Sequence, residues 1–339
     1  MNICIYPPQI GLGGPASFSG QLTSALRSRG IEVQPDPLAP GCAAVLVIGG
    51  SKRLGLLWQA RRRGVRIVQR LNGMNWLHRR MRTGVRHYLR AEINNRILST
   101  IRSRLAQRII YQSAFSQAWW QRVGGSVRAP GTVIFNGVDL QAFSPEGPER
   151  PPQDHFRLML VEGHLGRGGM DCGLNNAVDL LSALSGDPGP RWELLVAGDV
   201  PEALRQQVSV PGLWITWAGV VGRPQVAALD RSAHLLFSAD LNAACPNSVI
   251  EALACGLPVA AYDSGALAEM VSPPAGLVVP YGGDVWQLLP PKVAGLAQAA
   301  RQITAEQASY RPGARARAER QFDIQKIVDQ YLDVILGSS

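Results

Sequence analysis

The segment over residues 245–261 reads CPNSVIEALACGLPVAA. Its Pro-Asn-Ser start at residues 246–248 is typical of the first turn of a helix, where the backbone N–H groups have no acceptor within the helix. Those N–H groups can donate hydrogen bonds to phosphate oxygens, and the Glu251 carboxylate one turn later can bind adjoining sugar hydroxyls. Gly256 is typical of a helix end. A capped helix alone would explain Glu251 but not the whole string, so the segment predicts a helix over residues 248–254 with a diphosphate site at its start.

Short apolar strands alternate with helices on both sides of this segment. The pattern predicts strands over residues 2–6, 43–48, 65–69, 108–112, 157–161, 193–197, 214–218, 233–238 and 258–262, and helices over residues 174–184, 201–208, 225–230 and 267–271. Such alternation is typical of doubly wound parallel sheets. The sequence therefore predicts an α/β fold of two Rossmann-like domains facing across a cleft, with ligands at the carboxyl ends of the strands.

A proline-rich polar stretch near residues 143–155 divides the two alternating patterns, as domain linkers do. We expect an N-terminal domain over residues 1–145, a linker over residues 146–156 and a C-terminal domain over residues 157–314. The remaining residues 315–339 contain a final predicted helix, over about residues 315–336.

Composition excludes several classes of protein. With 46% hydrophobic residues and dispersed glycine and proline, the 339-residue chain is neither collagen-like nor of low complexity. No apolar run approaches the length of a membrane span, and no secretory leader is expected at the N-terminus. The five scattered cysteines contain no Cys-x-x-Cys pair and favour neither disulfides nor zinc. The expected location is the cytoplasm.

Charge is distributed unevenly between the two halves. Residues 1–150 carry 21 Lys and Arg against 6 Asp and Glu, whereas residues 151–339 carry 13 against 19. Residues 52–108 alone hold 16 basic residues and one acid, Glu92. The electrostatic field of so many positive charges attracts phosphates, anionic lipid or nucleic acid. A basic surface that is simply solvated is an equally good interpretation.

A long helical pattern occupies residues 77–109. Apolar residues recur at every fourth position, and Gly84 and Asn94-Asn95 suggest two helices. We expect the apolar stripe to pack on the protein's own sheet. A separate basic stripe contains Arg79, Arg82, Arg86 and Arg90. That stripe permits peripheral contact with an anionic membrane, as basic amphipathic helices make.

The loop after the first strand reads GLGGPAS, residues 11–17. Glycine there lets backbone N–H groups approach a phosphate at a helix start, but an ordinary strand–helix turn would also use glycine. The loop has neither the Gly-x-Gly-x-x-Gly spacing of nicotinamide-binding folds nor a following Gly-Lys-Ser/Thr.

The segment over residues 245–261 resembles the donor-binding segment of glycosyltransferase family 4, whose members are retaining nucleotide-sugar enzymes of GT-B architecture. Other motifs resemble this family in the same order. They are Gly13-Gly14-Pro15, the run VIFNGVDLQAFSP at residues 133–145, Leu195–Asp199 and Trp217–Val220. The resemblance covers nearly the whole chain, and it implies a C-terminal helix that packs back on the N-terminal domain.

The resemblance implies roles for individual residues. Glu251 would hold the ribose, and Asn247, Ser248 and Val249 would line the diphosphate. Gly13 and Gly14 would let the N-terminal domain approach that diphosphate, and Gly219 and Val220 would border the base. Gly163, His164 and Arg167 occupy the place where the family has an arginine and a lysine. Arg167 is the preferred cation because it stays charged and can make two contacts with phosphate.

One departure concerns the donor sugar. The family commonly has two glutamates eight positions apart, but position 243 here is alanine, and Asp240 is a candidate substitute. In the N-terminal domain, Asn72 follows a strand and is either a catalytic-loop residue or part of a simple turn. Ser113 is expected to cap a helix. His78 and His87 are interpreted as surface residues.

The resulting hypothesis is a glycosyltransferase that moves a sugar from a nucleotide-diphosphate sugar to an acceptor hydroxyl, without a metal or other cofactor. The resemblance implies retention and a role in cell-surface polysaccharide or glycolipid synthesis. The acceptor would be a glycan or a lipid-linked molecule at the inner membrane face. One alternative, favoured by Ala243, is a weakly active or inactive nucleotide-sugar-binding partner subunit. Nucleic-acid binding through residues 52–108 is a second alternative, disfavoured because few aromatic residues lie among the arginines.

Overall fold

Two six-stranded parallel sheets organise the chain in the computed structural model, which describes residues 2–9, 14–166, 171–186 and 190–337. The strands are β1 (Asn2–Tyr6), β2 (Glu32–Gln34), β3 (Cys42–Ile48), β4 (Arg66–Leu71), β5 (Arg108–Tyr111), β6 (Gly131–Val133), β7 (His155–His164), β8 (Arg191–Asp199), β9 (Trp214–Gly219), β10 (Leu235–Ser238), β11 (Val259–Tyr262) and β12 (Gly276–Val279). Their orders are β2-β1-β3-β4-β5-β6 and β12-β11-β10-β7-β8-β9. The predicted α/β class with two doubly wound sheets is confirmed.

Helices connect the strands. They are α1 (Gly14–Arg27), α2 (Leu54–Arg62), α3 (Val85–Thr100), α4 (Ala114–Gly124), α5 (Asp171–Ser185), α6 (Glu202–Val208), α7 (Arg223–Arg231), α8 (Asn247–Ala254), α9 (Leu267–Met270), α10 (Val293–Ala305), α11 (Gln307–Gln321) and α12 (Ile324–Leu332). The chain forms two units. The first comprises Met1–Gly137 and Phe322–Ser339, and the second comprises Val138–Gln321.

The sheet of the first unit is buried on both faces. In β1, Ile3 and Ile5 belong to the core that contains α1 and α12, whereas Cys4 and Tyr6 belong to the core that contains α2. Successive side chains of a strand point to opposite faces, so a continuous apolar run fills two cores at once. Phe18 of α1 packs on Tyr331 of α12, with ring centroids 5.3 Å apart, which places the C-terminal helix in this unit.

A large core lies against one face of the sheet of the second unit. It joins alternate residues of β7, β8 and β10 to the apolar faces of α5 and α10. Gly198 at the end of β8 is required by the close approach of β7. A Cβ at Gly198 would lie 1.9 Å from the carbonyl oxygen of Glu162, and the φ of Gly198 is +148°. This contact fixes the carboxyl ends of the two strands side by side.

The apolar stripe over residues 77–109 does not behave as expected. Residues 77–79 form only a short 3-10 turn, one α-helix begins at Val85, and a π-helical turn follows over Ile101–Leu105. Val85, Leu89 and Ile93 are 76%, 55% and 54% exposed, so the prediction that the whole stripe packs on the protein's own sheet is wrong. A step of four residues advances about 40° around an α-helix, so the stripe rotates from the outside to the inside along α3.

The final helix is also divided. α11 ends at Gln321, and α12 begins after Asp323, whose carboxylate accepts a hydrogen bond from the backbone N–H of Gln325. The prediction of one helix over residues 315–336 is therefore wrong, because this N-cap starts a new helix. By contrast, the predicted cap at Ser113 is confirmed: its hydroxyl accepts a hydrogen bond from the N–H of Ser116 at 3.1 Å.

His78 is not a surface residue, contrary to the sequence interpretation. It is 4% exposed, and its Nε2 lies 2.8 Å from Oε1 of Glu92 on α3. Arg79 also donates two hydrogen bonds to Glu92. His87, the other histidine interpreted as exposed, is half-buried. These contacts fasten the turn over residues 77–79 to α3, and they use the acidic residue that stands alone among the basic ones.

Within the described ranges of the chain, no helix is both long enough and apolar enough to cross a membrane.

Candidate functional site

The carboxyl ends of β10, β7, β8 and β9 are neighbours along one edge of the second sheet. Most residues predicted to bind a donor lie on or just after these strand ends. Gly163 and His164 end β7, Gly219 ends β9 and Val220 follows it, while Asn247, Ser248, Val249 and Glu251 lie on α8, the helix that follows β10. Parallel topology thus places residues that are distant in sequence at one edge of the sheet.

α8 provides a helix N-terminus at this edge. It begins at Asn247, directly after Pro246, and its first N–H groups have no acceptor within the helix. Asn247 and Ser248 are half-buried, whereas the Val249 side chain is fully buried, which leaves only its backbone for a ligand. The arrangement can bind an anion through N–H groups and the helix dipole.

Glu251 lies one turn into α8 and is paired with a cation. Its Oε1 is 3.0 Å from Nη2 of Arg223, the first residue of α7. Burial raises the pKa of Glu251 to about 7, although Arg223 acts in the opposite direction. Glu251 is therefore a carboxylate whose ionisation is balanced near neutral pH. Sequence reasoning missed Arg223, because nothing in the local pattern links position 223 to position 251.

The loop between β10 and α8 is firmly braced. The N–H of Asn242 donates to Oγ of Ser264, and the carbonyl of Ala243 accepts from the N–H of Ala266, both at 2.8 Å. A Cβ at Gly265, whose φ is +64°, would lie 2.4 Å from the Ala243 carbonyl oxygen. Ala243 is 7% exposed. The position where glycosyltransferase family 4, which the sequence motifs resemble, has its first glutamate is thus a buried methyl group on a fixed backbone.

Two carboxylates stand at the ends of adjacent strands near this loop. Glu162 lies on β7, and Asp240 follows β10, which pairs with β7. Burial, and then the charge of Asp240, raise the pKa of Glu162 well above its usual range, while burial raises that of Asp240 to about 6. Asp240 was foreseen as a substitute for the missing glutamate. Glu162 was not, although it is an acidic residue just before the glycine-rich loop.

β7 and β9 supply the remaining described candidates. Nδ1 of His164 lies 3.3 Å from Oδ2 of Asp199 at the end of β8, and the His164 side chain is exposed. Gly219 has a φ of +70°, and Val220 is exposed. Arg167 lies outside the described residues, so His164 is the candidate cation that the structure locates.

In the first unit, the predicted residues lie at the carboxyl edge of the other sheet. Gly14 is the exposed first residue of α1, while Gly13 lies outside the described residues. Asn72 directly follows β4. Its carbonyl accepts hydrogen bonds from Nε1 of Trp120, at 2.7 Å, and from Oγ of Ser116 on α4. The turn at Asn72 is therefore held by its backbone, and its half-buried side chain takes no part in those bonds.

Comparison with known families finds a match in the second unit. Residues 164–305 match the family described as Glycosyl transferases group 1. This segment contains most of the candidate site, from His164 through α8. The match supports the interpretation of the protein as a glycosyltransferase. A search of curated proteins found no match.

Solved structures with the same fold are GT-B glycosyltransferases. Sucrose-phosphate synthase (tll1590) from Thermosynechococcus elongatus is 19% identical with a TM-score of 0.75, and the alignment covers 99% of this chain and 100% of that one. Anabaena Alr3699/HepE in complex with UDP-glucose is 18% identical, with a TM-score of 0.68 and the same coverage. WaaG, a glycosyltransferase involved in lipopolysaccharide biosynthesis, is 14% identical, with a TM-score of 0.69 and full coverage of both chains. The chain therefore has the GT-B fold.

Proposed function

We propose that this protein is a retaining glycosyltransferase of the family 4 type, which moves a sugar from a nucleotide-diphosphate sugar to an acceptor hydroxyl. The observation that supports this most directly is the start of α8, with Glu251 one turn later, at the carboxyl edge of the second sheet. These residues lie within the segment 164–305 that matches group 1 glycosyltransferases. Retention and the assignment to family 4 rest on the motif resemblance.

In this proposal the diphosphate binds at the start of α8, and Glu251 accepts hydrogen bonds from the ribose. The bond between the anomeric carbon and the diphosphate oxygen breaks, a bond to the acceptor oxygen forms, and the acceptor proton is released. Negative charge on the leaving diphosphate is stabilised by the α8 N–H groups, the helix dipole, His164 and Arg167, without a metal. In the first unit, Asn72 is the candidate to bind the acceptor.

Glu162 and Asp240 are the proposed replacements for the glutamate that is absent at Ala243. They lie at neighbouring strand ends, as a ligand at the carboxyl edge requires. Because burial raises the pKa of both, one of them can remain protonated and donate a hydrogen bond to a sugar hydroxyl while the other accepts.

The donor hypothesis is tested by calorimetry with UDP and UDP-glucose, since a protein of the same fold was solved with both. We expect wild-type protein to bind UDP and E251Q to bind it about 10-fold to 100-fold more weakly, because a charge-assisted hydrogen bond is lost. E202Q is the matched control, because Glu202 is an exposed carboxylate of the same unit. Equal binding by wild type and E251Q would contradict the site.

The buried Ala243 supports a second candidate, a nucleotide-sugar-binding partner subunit with little activity. Both candidates bind the donor, so turnover separates them. Release of UDP from UDP-glucose by the wild-type protein, and its loss in D240N, would favour the enzyme. Binding without release, over a panel of donors and membrane-extracted acceptors, would favour the partner subunit.

We further propose that the first unit contacts an anionic membrane through the α3 outer face, defined as Val85, Arg86, Leu89, Arg90 and Ile93. All five side chains are exposed. At about 100° per residue, the three apolar residues lie on the side of α3 opposite its buried residues, so they point directly away from the core. An exposed apolar stripe edged by arginines suits the boundary between anionic headgroups and acyl chains.

This surface suggests an acceptor that is itself lipid-linked, in cell-surface polysaccharide or glycolipid synthesis. Sedimentation with vesicles of phosphatidylglycerol and phosphatidylcholine tests the membrane contact at low salt. We expect binding by wild type, loss in V85S/L89S/I93S and weaker binding in R86Q/R90Q, but not in the charge-matched control R108Q/R128Q. Equal vesicle binding by all variants would contradict the assignment. Binding of duplex DNA in preference to vesicles would instead favour a nucleic-acid partner.

A further inference from the structure

Arg223 joins two parts of the proposed donor site that are separate in sequence. The connection from Gly219 at the end of β9 to α7 is only three residues long, and Arg223 is the first residue of α7. The N–H of Gly222 donates to Oε1 of Gln225 at 2.9 Å, which fixes the helix start. Arg223 therefore stands directly after the loop expected to border the base, while its side chain reaches the carboxylate expected to hold the ribose.

The Arg223 guanidinium is held on two sides. Its central carbon lies 5.0 Å from the centroid of the Phe143 ring, and its Nη2 lies 3.0 Å from Oε1 of Glu251. Arginine suits this position because its planar group can stack on an aromatic ring while it donates hydrogen bonds. The ion pair uses Oε1, so Oε2 of Glu251 can accept a hydrogen bond from a ligand hydroxyl.

Arg223 favours the ionised form of Glu251 in surroundings that disfavour a negative charge. Asp230 on α7 is fully buried, and neither of its carboxylate oxygens has a hydrogen-bond partner among the described residues. Burial, followed by the charge of Glu251, raises the pKa of Asp230 well above its usual range, which favours its neutral form. Burial also raises the pKa of Glu251, whose side chain is 12% exposed, but Arg223 opposes this shift.

Other charged groups around α8 have their own partners. Arg231 on α7 pairs with Glu149, and Arg315 on α11 donates to the carbonyl of Ala254. Arg311 on α11 donates to the carbonyl of Ala233, and Cys255 is a buried thiol whose pKa burial raises. Asp240 lies in the preceding loop. Among these groups, Arg223 is the cation whose described ion pair is with Glu251.

We propose that Arg223 is a positioning residue of the donor site, which holds Glu251 in the orientation and the ionised form that the ribose of the donor requires. This inference rests on the proposed function. It makes donor binding depend on pH around neutrality, with tighter binding as Glu251 loses its proton. Lysine at position 223 would preserve the charge but not the planar stacking.

UDP binding measured by calorimetry between pH 5.5 and 9 tests the proposal. We expect R223M to bind UDP about tenfold more weakly at pH 7.5 and to move the rise in affinity to higher pH by about one unit, because removing the neighbouring cation raises the pKa of Glu251. R223K should restore most of the profile. The phosphate of UDP also titrates in this range. E251Q therefore gives the pH dependence of UDP affinity without the Glu251 contribution. The double variant R223M/E251Q should show the same pH dependence as E251Q. R320Q controls for the loss of one positive charge, because Arg320 is exposed on α11.

A second measurement separates this inference from the proposed function. Carbon-13 labelling of the glutamate carboxyls, with the Glu251 signal assigned from E251Q, follows Glu251 in the unliganded protein. A higher pKa in R223M than in wild type would support the role of Arg223 even where UDP does not bind, and absence of UDP binding would then contradict the proposed function alone. An unchanged Glu251 titration, or the same pH profile for R223M and wild type, would overturn the proposal.

Discussion

The two units have the same sheet architecture but place their charged side chains differently. In the second unit, arginines meet carboxylates within the structure: Arg157 donates to the buried Glu193, and Arg223 pairs with Glu251. In the first unit, the buried Arg70 donates to Tyr331 and Asn136, and its described contacts include no carboxylate. The arginines of α3 at positions 86 and 90 are exposed. The second unit therefore pairs these two carboxylates with arginines inside its fold, whereas the arginines of α3 in the first unit face outward.

The second unit also depends on a close backbone contact between the ends of β7 and β8. In G198A, the added Cβ would collide with the Glu162 carbonyl. We expect a loss of more than about 4 kcal/mol in the free energy of unfolding, and a fall of about 10 °C in the melting temperature of this unit. G163A is the matched control for thermal unfolding, because a Cβ at Gly163 would meet no atom within 4 Å. Equal melting of the two variants would contradict the close contact of β7 and β8.

Removing a buried arginine should cost more where it neutralises a buried carboxylate. R157M leaves Glu193, which is 2% exposed, with Thr216 and His155 as its remaining side-chain partners, and we expect a loss of about 3 kcal/mol. R70M removes hydrogen bonds but leaves no buried anion, so we expect about 1 to 2 kcal/mol. Urea unfolding of both variants measures the difference. A larger loss in R70M would reverse the contrast between the units.

Acid should weaken the contact that fastens residues 77–79 to α3. Hydrogen bonds from Arg79 and His78 lower the pKa of Glu92 to about 2. Since the folded pKa is depressed, this stabilisation is present above about pH 4.5 and is lost as the pH falls toward 2. E92Q should lack that pH-dependent step, with an effect below about 1 kcal/mol because Glu92 is partly exposed. Acid titrations followed by circular dichroism measure this step. Identical curves for wild type and E92Q would contradict the assignment.

The smallest effect is expected on the α3 outer face. L89S replaces an exposed leucine, so unfolding should change by less than about 0.5 kcal/mol. I101A, at the fully buried end of the same predicted stripe, should cost about 2 to 5 kcal/mol. Thermal unfolding of the two variants compares their losses of stability. A much larger loss in I101A would show that the stripe turns from solvent to the core between residues 89 and 101. A large loss in L89S would show that this side chain is covered by the protein itself.

Local chemistry made some elements predictable. The apolar run in β3, the cap at Ser113 and the start of α8 depend on neighbouring residues, so sequence patterns locate them well. The three-residue strands β2 and β6 were missed because they are too short to carry a periodic pattern. The fourfold spacing in α3 was misread because it indicates a helix but does not fix which side of that helix meets the core.

The candidate site also combines features that local sequence predicts with features that it does not. The sequence by itself determined the α/β class, the glycine-containing strand ends, and a helix that begins near Ser248 with Glu251 one turn later, because capping and hydrophobic runs act over a few residues. Only the tertiary structure decided that Arg223 meets Glu251 and that Glu162 ends beside Asp240. The pairing of β7 with β10 brings Glu162 beside Asp240, and the packing of α7 against α8 brings Arg223 to Glu251. Their protonation then depends on burial, which no local pattern of residues can specify.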